Sequence, residues 1–175
     1  LACTERHPSK IPLKKIKEEL TGICFSQSLM RVGLFAKVRK FKDDFEVILD
    51  WPDSSNPKPF NREYFRAYNQ GKSQSGIEYF SGPLIDLGFK DSLYFAKSTH
   101  SNVLQFADLV IGAAKDFILK TIHGHDRSIG YDLTKLILSK YRGYPNKIIE
   151  YGMNFAPKES ENYLSIKEEI KKNVA

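Results

Sequence analysis

Across residues 33–41 the side chains alternate: Leu34, Ala36 and Val38 fall on one side, Phe35, Lys37 and Arg39 on the other. A two-residue period predicts a half-buried strand. After a turn at residues 42–44, Phe45-Glu46-Val47-Ile48-Leu49-Asp50 predicts a second strand, and so brief a link implies an antiparallel hairpin. Upstream, Pro8 and Pro12 flank a start signal, and Pro12 suits the first turn of a helix reaching about Leu20, with Leu13, Ile16 and Leu20 as its apolar stripe. Residues 51–59, dense in Pro, Ser and Asn, read as a loop. Residues 61–69 read as a helix with Tyr64, Phe65 and Tyr68 on one side, stopped by Gly71.

Residues 72–88 carry mostly loop signals, and residues 92–96 form a short apolar strand. Ser101 is placed to cap a long helix from Asn102 to about Thr121. Another helix spans about 129–141 before Gly143 and Pro145, and a last one is expected over 161–172. Strands, then a strand feeding a helix, with helices interspersed, indicate an α/β architecture. The expected organisation is one domain over residues 1–156 and a charged helical tail over 157–175.

The chain has 175 residues and is 41% hydrophobic, enough for one packed core. No apolar run approaches the roughly 20 residues of a membrane span, so no membrane partner and a cytoplasmic location are expected. Cys3 and Cys24 give neither a disulfide framework nor a zinc spacing. The net charge of +6 favours polyanions, RNA or DNA among them. Lys37 and Arg39, interleaved with Phe35 and Phe41, are the candidates for backbone contacts; protection of a strand edge explains the same charges.

The 102–121 helix is apolar on nearly every side, which predicts a core position. Gln105 and Asp108 break that pattern, three residues apart and so on one face. A carboxylate in such a setting needs a hydrogen-bond donor or a cation. An isolated pair of this kind is more readily a structural hydrogen bond or a narrow solvent-facing stripe. Asp50 alters the balance: it ends a predicted strand, and ligands in α/β sheets gather at the carboxyl ends of strands. Two acids there suit Mg²⁺ or Mn²⁺, which take hard oxygen ligands and keep positions open for water and phosphate. Asp53, beside Pro52, is better explained as a turn residue.

Residues 98–113, with Gln105-x-x-Asp108 inside them, resemble the signature of the prokaryotic family called "domain of unknown function 3800". The resemblance covers most of the chain loosely and is specific over 104–113. It implies a ribonuclease H-like mixed sheet flanked by helices, with Asp50 as a strand-borne acid. It also implies an Asp-Glu pair on a first strand, which this sequence does not contain. Leu1, Ala2 and Cys3 read as the tail of a strand, so either the chain is a piece that lacks that first strand or the protein has lost the pair.

Among rival constellations, His123-Gly124-His125-Asp126 has metal-binding residue types but sits where a solvated turn is expected, and His100 precedes the Ser101 cap. No phosphate-binding glycine loop and no nucleophile elbow are present. The expectation is a divalent-metal-dependent nuclease with Asp50 and Asp108 as metal ligands and Gln105 orienting Asp108 or a water. The alternative is a non-catalytic domain of the same fold that binds nucleic acid or protein.

Overall fold

The computed structural model describes residues 12–41, 44–51, 56–126, 128–153, 155 and 157–174. Expectations attached to Leu1, Ala2, Cys3, Pro8, Lys42, Asp43, Pro52 and Asp53 lie outside these residues. The described residues fall into two compact units, 12–104 and 105–174.

The first unit opens with α1 (Leu13–Arg39), then β1 (Phe45–Asp50), α2 (Lys58–Gln70) and β2 (Phe89–Ala96). The hairpin expected over 33–50 is therefore not formed. Residues 33–39 are the last turns of α1, and β1 pairs in parallel with β2, with Val47 opposite Leu93 and Asp50 opposite Ala96. The cause lies upstream of the alternating run. Phe25, Leu29, Gly33 and Ala36 are buried at helical spacing, so the 3.6-residue period continues through the segment and the two-residue pattern is incidental. Lys40, in the left-handed conformation, ends the helix.

A parallel pair needs a crossover, and α2 with the 3₁₀ turn Leu84–Leu87 supplies it. Proline in the first turn opens α2 at Lys58, ahead of the expected start at Asn61, and Gly71 (φ 62°) closes it, as the sequence predicts. Glu63, Tyr64 and Ala67 face inward. The Tyr64 hydroxyl donates to the Lys90 carbonyl at 2.6 Å, tying α2 to β2. Burial, aided by Tyr68, Asp91 and Tyr94, pushes that hydroxyl's pKa up to about 12. The core gathers Phe25, Leu29, Tyr64, Leu84 and Phe89, with Phe45, Val47 and Leu49 from the inward side of β1 packed against it. Trp51 meets Phe60 and Phe95 edge-on.

In the second unit α3 (Asn102–His123), whose first three residues belong to the first unit, is followed by α4 (Ser128–Ile137), the single kinked turn α5 (Ile148–Tyr151) and α6 (Glu161–Val174). Phe117, Ile118, Leu138, Ile148, Met153 and Phe155 form a core with Tyr163, Ile166 and Ile170 of α6. The 161–172 segment is thus helical as expected, and one of its faces is buried. Gly130 permits close packing of α4 on α3, since a β-carbon there would lie 2.4–2.9 Å from atoms of Asp116. The chain is a helix-rich α/β protein with a small two-stranded parallel sheet. Among the described residues no helix is long and apolar enough to cross a membrane.

Candidate nucleic-acid interface

Asp50 stands at the carboxyl end of β1, on the strand's outward side, and is exposed. Its Oδ1 accepts a hydrogen bond from the Ser98 backbone N–H at 2.8 Å. One of its two carboxylate oxygens therefore fixes the backbone just after β2, a structural task that needs no metal.

Gln105 and Asp108 lie on α3 in the second unit and are exposed. The expectation that α3 is enclosed on nearly every side is corrected here. Its buried positions are Leu104, Ala113, Ala114, Phe117 and Ile118, whereas Val103, Phe106, Leu109 and Ile111 are exposed. An exposed carboxylate is stabilised by water, so the premise that a cation must await Asp108 is removed. Ser101 does cap α3: its Oγ accepts from the Leu104 N–H at 3.3 Å. Among the described residues no three of His, Cys, Asp or Glu are grouped to hold a metal ion. His123 and His125 have ring centroids 5.8 Å apart and are both exposed.

The basic residues present a different picture. Lys37 and Arg39 are exposed as expected, but on the last turn of α1 and not on a strand. There they complement the negative end of the helix dipole, which is their structural role. Around them aromatic rings are left open. Phe35 and Phe41 are 39% and 42% exposed, and their centroids lie 5.5 Å apart. The Arg39 guanidinium lies 5.7 Å from the Phe35 centroid. Phe41 meets Phe45, which stacks on Phe89, so the surface rings are rooted in the core.

The reading of the sequence missed Phe80, which is 90% exposed on the loop between α2 and β2. Lys37 Nζ donates to its carbonyl oxygen at 3.0 Å, so loop tip and basic turn are adjacent. This loop is held in place. Buried Glu63 accepts from the Gln74 backbone N–H at 2.6 Å and from the buried Tyr79 hydroxyl at 3.3 Å. The same hydroxyl lies 3.3 Å from Ser26 Oγ on α1. Burial first, and then the neighbouring Glu63 charge, hold the Tyr79 hydroxyl far above the ordinary tyrosine pKa. A β-carbon at Gly33 would sit 2.8 Å from both Leu84 Cδ2 and Ser81 Oγ, so only glycine lets the loop approach α1 this closely. The available signal was a bare Tyr79-Phe80 pair inside a small-residue, glycine-punctuated segment.

No family model, no curated protein and no solved structure matches this chain.

Proposed function

We propose that this chain is a binding module for single-stranded nucleic acid, which it contacts through the last turn of α1 and the tip of the loop that carries Phe80. The observation that supports this reading is an almost fully exposed phenyl ring on an anchored loop, beside a basic turn with two further open rings. An exposed phenylalanine is poorly solvated, and anchoring its loop keeps it from folding away. Rings of this kind offer stacking surfaces to bases, while Lys37, Arg39 and Lys40 are spaced to meet phosphates. The overall charge of +6 favours approach of a polyanion.

Fluorescence anisotropy with labelled single-stranded RNA and DNA tests this. With three phosphates neutralised, log Kd against log salt should have a slope magnitude of about 2, which is roughly a sixteenfold weakening between 50 and 200 mM salt. Replacing Lys37, Arg39 and Lys40 together by Gln should flatten that slope. Phe80→Ala should weaken binding about tenfold, the scale of one stacked base, without changing the slope. Affinity indifferent to all four positions would reject the surface.

The second reading is the metal-dependent nuclease of ribonuclease H-like build that the family resemblance implies. Its support is the place of Asp50, exposed at the carboxyl end of a strand in a parallel pair. It would use Asp50 and Asp108 as ligands to Mg²⁺ or Mn²⁺, with Gln105 beside Asp108, and it requires a further carboxylate that the described residues do not group with them. Incubation of the oligonucleotides with Mn²⁺ separates the readings. Cleavage lost in both Asp50→Asn and Asp108→Asn favours the nuclease; binding without cleavage, insensitive to chelator, favours the module.

A further inference from the structure

The second unit contains a cavity of about 470 Å³ between the turn at 145–150 and α6. That size lies within the range of small-ligand sites, roughly 300–1,000 Å³. Its lining divides by chemistry. Lys147 comes from the turn, Lys167 and Lys171 from α6, and all three are exposed. Buried Tyr163 and Ile170 supply an apolar side, and Glu150 contributes one carboxylate, which is 3.4 Å from Lys158 Nζ.

The three lysines call for explanation. Lys167 and Lys171 are one turn apart on α6, where like charges repel. Lys147 adds a third positive charge from a separate element, and no carboxylate among the described residues forms an ion pair with any of them. Lys147 and Lys167 lie 5.9 and 5.8 Å from the Tyr151 and Tyr163 ring centroids, contacts that leave their charge unneutralised. By contrast, Lys172, on the same helix, is 3.5 Å from Glu169 Oε2. Single lysines on a helix are ordinary solvated charge. Convergence of lysines without a carboxylate partner from two elements on one concavity is not, because it raises the local potential for an anion.

The turn that brings Lys147 is braced. Its backbone N–H donates to the Gly143 carbonyl at 2.6 Å, and a β-carbon at Gly143 (φ 89°) would lie 2.1 Å from the Lys147 carbonyl oxygen. Lys147 also lines an adjoining shallow hollow with Arg142 and Tyr151. Glu150, the next charged turn residue lining the cavity, is held at φ 95°, a conformation that costs a non-glycine residue about 1–3 kcal/mol and is concentrated at functional positions.

We infer that this cavity binds a nucleoside monophosphate. Its phosphate dianion answers the lysine cluster, its base lies against the Tyr163 and Ile170 side, and Glu150 accepts from a hydroxyl or amino group. A bare anion would leave the apolar side unused, and an apolar ligand would leave the lysines unanswered. The inference is independent of the α1 surface.

Isothermal titration of the intact chain with AMP, GMP, CMP and UMP, against adenosine and inorganic phosphate, tests it. At least one nucleotide should bind saturably with submillimolar Kd, at least tenfold more tightly than adenosine or phosphate. The Lys167→Gln/Lys171→Gln double variant should weaken that binding tenfold or more while melting like the parent, and Lys147→Gln should weaken it to a lesser degree. A Lys37→Gln/Arg39→Gln variant should leave it unchanged. The inference is overturned by lack of saturation with all four nucleotides, by phosphate binding as tightly as they do, by an unchanged Kd in the α6 double variant, or by a loss of binding in the α1 variant.

Discussion

Each unit fastens a tyrosine hydroxyl to a glutamate, and the two fastenings differ in what surrounds them. In the first unit, Glu63 is 5% exposed and is met by a backbone N–H and the Tyr79 hydroxyl, with no cation paired to it among the described residues. In the second, the Tyr131 hydroxyl donates to Glu169, Asn173 Nδ2 donates to the same carboxylate at 3.1 Å, and Lys172 stands alongside. Lys120 and Lys135 lie 4.4 and 5.0 Å from the Tyr131 centroid. Glu169 remains in touch with water. A buried carboxylate held by neutral donors leaves each donor stranded if it is removed; a wet one surrounded by cations does not. The first arrangement suits a loop that must stay in one position, and the second merely joins α4 to α6.

The sharpest break of this comparison is Glu63→Ala. It strands the Gln74 N–H and leaves the Tyr79 O–H with Ser26 alone as acceptor, and should cost about 2 kcal/mol by urea denaturation. Hydrogen exchange at Gln74 should accelerate, and single-strand affinity should fall as it does in Phe80→Ala. A Glu63→Ala variant that keeps the parent's stability would sink the distinction. Thr134 sharpens the contrast from the other side. It is fully buried, and its hydroxyl has no hydrogen-bond partner among the described residues. Thr134→Val should therefore raise stability by about 1 kcal/mol, and a drop of that size would show the hydroxyl to be satisfied.

The smallest effect is expected for Glu169→Ala, which should cost under about 1 kcal/mol. The Tyr131 hydroxyl, with help from Asn173 and Lys172, holds this carboxyl below the ordinary glutamate pKa, against a smaller opposing effect of burial. Burial and the bond to Glu169 hold the Tyr131 hydroxyl above its own. A depressed folded-state pKa stabilises above the unfolded value, about 4.3, and that contribution fades as pH falls through the lowered value. Thermal melts from pH 6 to pH 2 should show an acid decline that is shallower in Glu169→Gln. Superimposable curves would remove Glu169 from the account.

Much of the chain's local order was legible. The Ser101 cap, the Gly71 stop and strand 45–50 all follow from short-range signals, and each is where the spacing places it. The failure at 33–41 came from reading nine residues in isolation. The deciding evidence was Phe25 and Leu29, two and one turns upstream of Gly33, and a long helix with hydroxyls bonded back to its own carbonyls gave no stop signal between them. Lys37 and Arg39 were correctly taken as exposed charges because charge predicts exposure whatever the element. Phe80 escaped notice because apolar side chains are presumed buried, and only its anchored neighbours show otherwise. Lys147, Lys167 and Lys171 are separated by up to 24 positions, the difference between 171 and 147, so no local pattern could unite them.

The hydrogen bond from Lys37 to the Phe80 carbonyl carries one more implication. A lysine ammonium carries three N–H donors, so one can stay on this carbonyl while another turns outward. Under the proposed reading, a phosphate met by Lys37 would then add to the hold on the ring at 80 instead of loosening it. The two halves of the surface would tighten together, as a clasp does.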